Sequence, residues 1–236
     1  MHADYLMEKI PRSGQYLSMP ISGYFINTHN PEGLYVYGDQ IKVIYALSNA
    51  STNAACQAYY EPLGQGWKCN MAEYLYPYIQ APLMVFNSFV DSWSTGCIMT
   101  AEPVVDANNT HVNGNCTADA AYKACASNPT SCSVDELQEV VIPFTQYYIT
   151  SYTVFNAAKS TAPGSGAFWT SCHTHCEAQS NSCFSLFAIN GVTMQAAAEA
   201  WIAANLASNG TSPAAAHTYV DCVYSPGKVP CNPTCG

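Results

Sequence analysis

The stretch Cys172-His173-Thr174-His175-Cys176 gathers two imidazoles and two thiols in five residues. Neutral imidazole and thiolate are good zinc ligands. Structural zinc sites, however, bring ligand pairs from separated segments, whereas here each cysteine directly abuts a histidine. No metal ligand is assigned on this spacing. Three readings stay open from these residues alone: a disulfide corner, a solvated loop with two incidental histidines, and a loop that presents a catalytic histidine. A carboxylate partner for the last reading stands earlier in the chain at Asp91, within "FVDSW". Asp followed by His is the order that closes an α/β-hydrolase triad. Asp91 is equally well placed as a helix N-cap after a strand, and one residue can serve both purposes.

The elements that must position these residues are legible in part. "APLMVFNSFVDSW" contains an apolar run, Leu83 to Phe86, of the length of a buried parallel strand, with Asn87, Ser88 and Asp91 beyond its carboxyl end. "GAFWTSC" predicts a second short buried strand just before His173 and His175. Gln15 to Ile26 reads as a further buried strand bent at Gly23, and Ile41 to Asn49 as a helix. Thr193 caps a helix, "MQAAAEAWIAANLAS", that ends toward Asn209-Gly210. Ser133 and Glu136 form a capping box for a long helix with Pro143 inside it. Cys97 to Cys132 reads as loop, and the tail "YVDCVYSPGKVPCNPTC" as an irregular segment held by disulfides. Strand–helix alternation predicts an α/β chain with a mostly parallel sheet, where chemistry gathers beyond the carboxyl ends of the strands.

Composition restricts the partners. Only 10% of the 236 residues are charged, against about a quarter in ordinary globular chains. Seven basic against sixteen acidic residues give a net charge of −9, which disfavours nucleic acid because phosphate contacts need clustered Lys and Arg. Twelve irregularly spaced cysteines point to disulfides in an oxidising compartment. Four N-glycosylation sequons, at Asn49, Asn108, Asn115 and Asn209, point the same way. Cys56 with Cys69 and Cys125 with Cys132 each close a short loop, so local pairs are expected there. Cys172 or Cys176 is expected to reach Cys183, Cys222 or the tail and so brace the histidine loop. No segment reaches the roughly 20 apolar residues of a membrane span. The first fourteen residues contain Asp4, Glu8 and Lys9 and lack the apolar core of a secretory signal.

Ordered from end to end, the stretches "HADYL", "MPISGYFI", "WKCNMAEYLYPYIQAPLMVFNSFVDSW", "CASNPTSCSVDEL", "FWTSCHTHCE" and "VDCVYSPGKVPCNPTC" resemble the pectin acetylesterase/Notum family of secreted carboxylester hydrolases. The resemblance implies an α/β-hydrolase fold whose triad runs Ser, Asp, His along the chain. It places the acid on Asp91, in "NSFVDSW", and the base on His175 of "SCHTHC" rather than on His173. His173 then becomes a substrate contact or a neighbour, and Trp93 a support for the acid loop. The implied substrate is an acetylated, pectin-like polysaccharide or, for Notum-like members, an acylated extracellular protein. No cofactor is implied.

The nucleophile is the departure from the pattern. The family serine lies in a Gly-x-Ser-x-Gly elbow ahead of the "HADYL"-like helix, and no such motif occurs in the 236 residues. Ser165, in "APGSGAF", sits in a turn and not in an elbow between a strand and a helix. The expectation is therefore a single domain, residues 1–236. It corresponds to the carboxyl-terminal portion of a secreted esterase: an incomplete, disulfide-rich, three-layer α/β-hydrolase fold. A non-catalytic pseudo-esterase that binds glycan or protein is the alternative. An incomplete parallel sheet exposes an apolar flank, so poor solubility is expected of the isolated chain.

Overall fold

The computed structural model describes residues 2–11, 14–30, 33–49, 51–98, 102–105, 111–115, 133, 153, 163–211, 214–221 and 231–235. In chain order the helices are α1 (Ala3–Lys9), α2 (Val36–Ser48), α3 (Ala54–Tyr60), α4 (Ala72–Leu75), α5 (Ser92–Cys97), α6 (Asn181–Leu186) and α7 (Met194–Ser208). The strands are β1 (Met84–Ser88), β2 (Glu102–Val105), β3 (His111–Asn115), β4 (Gly166–Thr170), β5 (Ala188–Ile189), β6 (Val192–Thr193) and β7 (Thr218–Val220).

The central sheet has the order β1-β4-β7, and all its pairings are parallel. Met84 pairs with Gly166 and Ser88 with Thr170, so β1 and β4 end level with each other. Gly166 permits this close approach. A Cβ there would lie 2.7 Å from Met84 Sδ and 2.8 Å from the His217 carbonyl oxygen.

On the other side of β1, the segment expected to be a strand from Gln15 to Ile26 makes two isolated parallel bridges, Ser18 to Leu83 and Ile21 to Phe86. Pro20 accepts from Phe86 N–H at 3.0 Å but has no N–H to return, which keeps the pairing discontinuous. The tail departs from its expected irregularity as well, because Thr218–Val220 adds β7 to the sheet. Between Cys97 and Cys132, read as loop, the chain forms the antiparallel β2–β3 hairpin. The helix expected to follow Ser133 falls outside the described residues.

Side chains on the sheet alternate between two cores, as strand geometry requires. Leu83, Val85, Ala167 and Trp169 face one cluster with Tyr24, Ile26, Leu75, Tyr76 and Ile79. Met84, Phe86 and Phe168 face the other, against Met194, Ala197, Ala198 and Trp201. Helix α7 covers this second face. It starts where Thr193 accepts the Ala196 N–H (3.1 Å) and stops at Asn209, which takes a left-handed φ of 51°. Trp201 is fully buried and also donates its indole N–H to the Gly164 carbonyl at 2.6 Å. Burial of such large side chains contributes about 1.5–3 kcal/mol each. The two faces and the sheet between them make three layers, and the carboxyl ends of β1 and β4 open at one edge.

Candidate active site

Asp91 follows β1 after a two-residue turn and is 1% exposed. It caps α5, where its Oδ1 accepts the Ser94 N–H at 2.8 Å. The other oxygen, Oδ2, lies 2.7 Å from His175 Nδ1. One carboxylate thus starts a helix and receives an imidazole. Its N-cap position therefore leaves one oxygen to meet the imidazole. With Nδ1–H donating to Asp91, the basic lone pair of the ring resides on Nε2. His175 is about a quarter exposed, so Nε2 is not sealed in the core.

His175 is held through its loop. Ser88 Oγ donates to the Cys172 carbonyl at 2.5 Å, and the Thr174 carbonyl accepts the Ser92 N–H at 3.1 Å. A disulfide joins Cys172 to Cys235, so the loop after β4 is anchored to the end of the chain. Ser171 adds a second anchor, with both its N–H and its hydroxyl donating to Asp221 Oδ2 at 2.9 Å. His173 turns away from Asp91. Its Nε2 lies 3.1 Å from the Thr95 hydroxyl on α5.

Aromatic rings flank the imidazole. Phe25 stacks on His175 with centroids 6.3 Å apart, and Trp93 sits at the same separation, tilted by 31°. Phe25 and Trp93 touch each other at 4.7 Å, and Tyr37 packs edge-on against both. Burial pushes the Tyr37 phenol up to about 12, so it stays neutral and acts as a wall. Trp93 was legible as an acid-loop residue, but Phe25 and Tyr37 were not. They come from segments more than 130 residues before His175 in the chain, and no local pattern marks them.

Two further residues escaped the sequence reading. Ser22 is buried in a left-handed conformation (φ 50°). Its hydroxyl donates to Glu177 Oε2 at 3.0 Å and accepts the Cys176 N–H at 2.7 Å. Glu177 is 2% exposed, and burial pushes its carboxyl up, with the charge of Asp91 adding to the effect. The only available signal was a short "CE" after the histidines, which is indistinguishable from a surface acid.

The cysteines divide unevenly. Cys56 and Cys69 are bonded across α3 and the turns that follow it. Cys172 reaches the tail, at Cys235. Cys176, expected among the disulfide cysteines, is a free thiol, as is Cys183. Its backbone is turned into a left-handed φ of 57° and tied to Ser22, and Cys235 is bonded to Cys172. Burial and the nearby Asp91 and Glu177 charges push the Cys176 thiol up, away from the reactive thiolate. Cys125 and Cys132 lie outside the described residues, as does Asn108. Asn49 and Asn209 are exposed helix-ending residues, and Asn115 closes β3. Ser165 Oγ accepts the Leu83 N–H at 3.2 Å, so this serine serves a turn. Among the described residues no helix is long and apolar enough to cross a membrane.

In sum of atoms, a buried carboxylate, an imidazole with an accessible Nε2 and an aromatic wall stand beyond the carboxyl ends of neighbouring parallel strands. Such a pair can take a proton from a hydroxyl and return it to a leaving group.

Known proteins give this arrangement a context. The chain is similar to the Wnt deacylase Notum from Drosophila in two crystal forms. One has a TM-score of 0.64 at 13% identity, covering 99% of this chain and 53% of that one. The other has a TM-score of 0.58 at 12% identity, covering 94% and 50%. This likeness shows the fold, an α/β-hydrolase-like arrangement with a mostly parallel sheet. Pectin acetylesterase 11 and pectin acetylesterase 7 of Arabidopsis thaliana are each 26% identical over 187 residues, which is 78% of this chain and 42% of theirs. The chain thus spans under half the length of these curated relatives and about half of the Notum chains. The pectinacetylesterase family model matches residues 1–236, and the chain belongs to that family.

Proposed function

We propose that this chain supplies the acid and base of a secreted carboxylester hydrolase that removes acetyl groups from a pectin-like extracellular polysaccharide. The observation that carries the reading is the 2.7 Å contact of Asp91 Oδ2 with His175 Nδ1 beyond the ends of β1 and β4. His175 Nε2 takes the proton of a serine hydroxyl as that oxygen attacks the ester carbonyl, then returns it to the departing sugar alcohol. Asp91 fixes the tautomer and stabilises the imidazolium. The serine belongs to a Gly-x-Ser-x-Gly segment upstream of residues 1–236, as the family pattern implies. His173 contacts substrate or supports the loop through Thr95, and Trp93 holds the ring in place. The acetyl group and the pectin-like polymer follow from the names of the Arabidopsis relatives.

Residues 1–236 are taken as one domain of that protein. The glycosylation sequons at Asn49, Asn108, Asn115 and Asn209 and the Cys56–Cys69 and Cys172–Cys235 disulfides fit an oxidising, extracellular setting. The chemistry needs no cofactor.

The test is hydrolysis of p-nitrophenyl acetate and of acetylated pectin by a longer chain that includes the Gly-x-Ser-x-Gly segment. The expected result is activity that His175→Ala abolishes and His173→Ala leaves largely intact. Full activity in His175→Ala would overturn the reading. So would equal loss from both variants accompanied by stoichiometric bound metal.

A further inference from the structure

His175 lies between two peptide planes, and both are hydrogen-bonded to residues outside its own loop. On its amino side, the Thr174 carbonyl accepts from Ser92 N–H at 3.1 Å. On its carboxyl side, the N–H of Cys176 donates to Ser22 Oγ at 2.7 Å. Ser92 is the residue directly after Asp91, so the first of these bonds is part of the acid loop. The second depends on Ser22, more than 150 residues away in sequence. Ser22 is itself tied to β1, where its N–H donates to the Phe86 carbonyl at 2.8 Å.

A serine hydroxyl has one proton and two lone pairs. If Ser22 directed its proton elsewhere, the oxygen would not be aimed at Cys176 N–H with the same fidelity. Glu177 settles the direction, because its Oε2 takes the Ser22 proton at 3.0 Å and leaves the lone pairs for the peptide. A carboxyl that is 2% exposed carries a desolvation cost that a surface acid does not, and here it is placed two residues beyond the base.

We propose that Ser22 and Glu177 are positioning residues that lock the His175–Cys176 peptide onto β1 and so aim the His175 ring at Asp91. This rests on the reading of Asp91 and His175 as the acid–base pair, and it adds residues to that pair. Neither Ser22 nor Glu177 touches the reacting atoms. Their effect is transmitted through one backbone N–H.

The experiment uses the longer chain that includes the Gly-x-Ser-x-Gly segment, with 15N-labelled histidine, and follows the His175 Nδ1 proton by NMR, including its exchange with water. Asp91→Asn is expected to remove that hydrogen-bonded resonance. Ser22→Ala and Glu177→Ala are expected to speed its exchange about fivefold, the worth of one net hydrogen bond. Glu177→Gln is expected to remain close to the parent, since an amide carbonyl accepts the same hydroxyl proton. Slowly exchanging amides of β4 serve as the reference. Acceleration confined to His175 supports positioning, and parallel acceleration of the β4 amides shows a merely structural role and overturns it. Should Glu177→Ala fail to melt cooperatively, Ser22→Ala and Glu177→Gln carry the comparison. Unchanged exchange in Ser22→Ala, with the resonance lost in Asp91→Asn, overturns the proposal but leaves the acid–base pair standing. A resonance unaffected by Asp91→Asn overturns both.

Discussion

The Asp91 carboxylate meets His175 Nδ1 at 2.7 Å while its second oxygen caps α5 through the Ser94 N–H. The two duties can be separated by substitution. Asparagine is as good an N-cap as aspartate, whereas alanine is not. Asp91→Asn should therefore melt close to the parent, and Asp91→Ala about 1 kcal/mol less stable. In the longer chain with its serine, both should lose kcat for p-nitrophenyl acetate by a factor on the order of 10⁴, because the imidazole loses its orienting anion. A parent-like kcat in Asp91→Asn would refute the assignment.

The aromatic wall makes a smaller and different prediction. Phe25 and Trp93 lie beside the His175 ring, where they limit its rotation away from Asp91. Trp93→Ala should lower kcat roughly two- to tenfold, in keeping with about 0.5–1.5 kcal/mol for an aromatic pair, and Trp93→Phe should recover most of it. Steady-state kinetics on the same ester read both.

The Cys172–Cys235 and Cys56–Cys69 disulfides should not be equivalent. Cys172–Cys235 closes a sequence separation of 63 residues and Cys56–Cys69 one of 13. Chain entropy alone assigns about 4 kcal/mol to the first and about 3 to the second. The paired replacement of Cys172 and Cys235 by serine should therefore lower the denaturant midpoint more than replacement of Cys56 and Cys69. It should also lower esterase activity more steeply, since Cys172 opens the histidine loop and Cys56–Cys69 lies outside it. Equal activity after both replacements would count against the brace.

Stability should depend on pH through Glu73. Burial pushes its carboxyl up to about 7, against a pull from the Asn27 N–H, which donates to Oε1 at 2.7 Å. The folded pKa is raised above the unfolded value of 4.5, so the native state binds the extra proton between these limits. The stabilising contribution is full below about pH 4.5 and is lost as pH rises to about 7. Glu73→Gln keeps the acceptor without the charge, so its melting temperature should gain on the parent through that window. Thermal melts at pH 4, 6 and 8 check the sign.

Gly166 tests the sheet itself. Any Cβ there meets Met84 and the His217 backbone below 3.0 Å, and the backbone oxygen cannot yield as a side-chain end can. Gly166→Ala should cost about 1–3 kcal/mol by overpacking. A denaturation curve that matches the parent would mean that β1, β4 and β7 are spaced differently.

Local signals carried much of this architecture into the sequence. The apolar runs of β1 and β4, the Thr193 cap and the short Cys56–Cys69 loop are written in neighbouring residues, and the structure has them. Asp91 and the pair His173 and His175 were legible as candidates because they come soon after such runs, and the choice of His175 came from the family resemblance. What failed to register is non-local. Thr218–Val220 is a three-residue strand, too short for any periodicity, and it exists because β4 offers it an edge. Pro20 broke the pairing of a segment whose apolar composition alone read as a full strand. Ser22 acquires meaning only by meeting Glu177 across 155 positions of sequence separation. The Cys176 thiol illustrates the limit of counting cysteines, since its freedom follows from which sulfur the tail reaches.

The level ends of β1 and β4 carry one more consequence. Ser88 is registered opposite Thr170, and Asp91 and His175 each follow their strand by a fixed short path. A slip of one residue would displace one path by about 3.3 Å and turn alternate side chains to the opposite face. The contact between carboxylate and imidazole cannot survive such a slip. The Asp91–His175 contact is thereby an internal reporter of register: only chains whose strands have paired in step can form it.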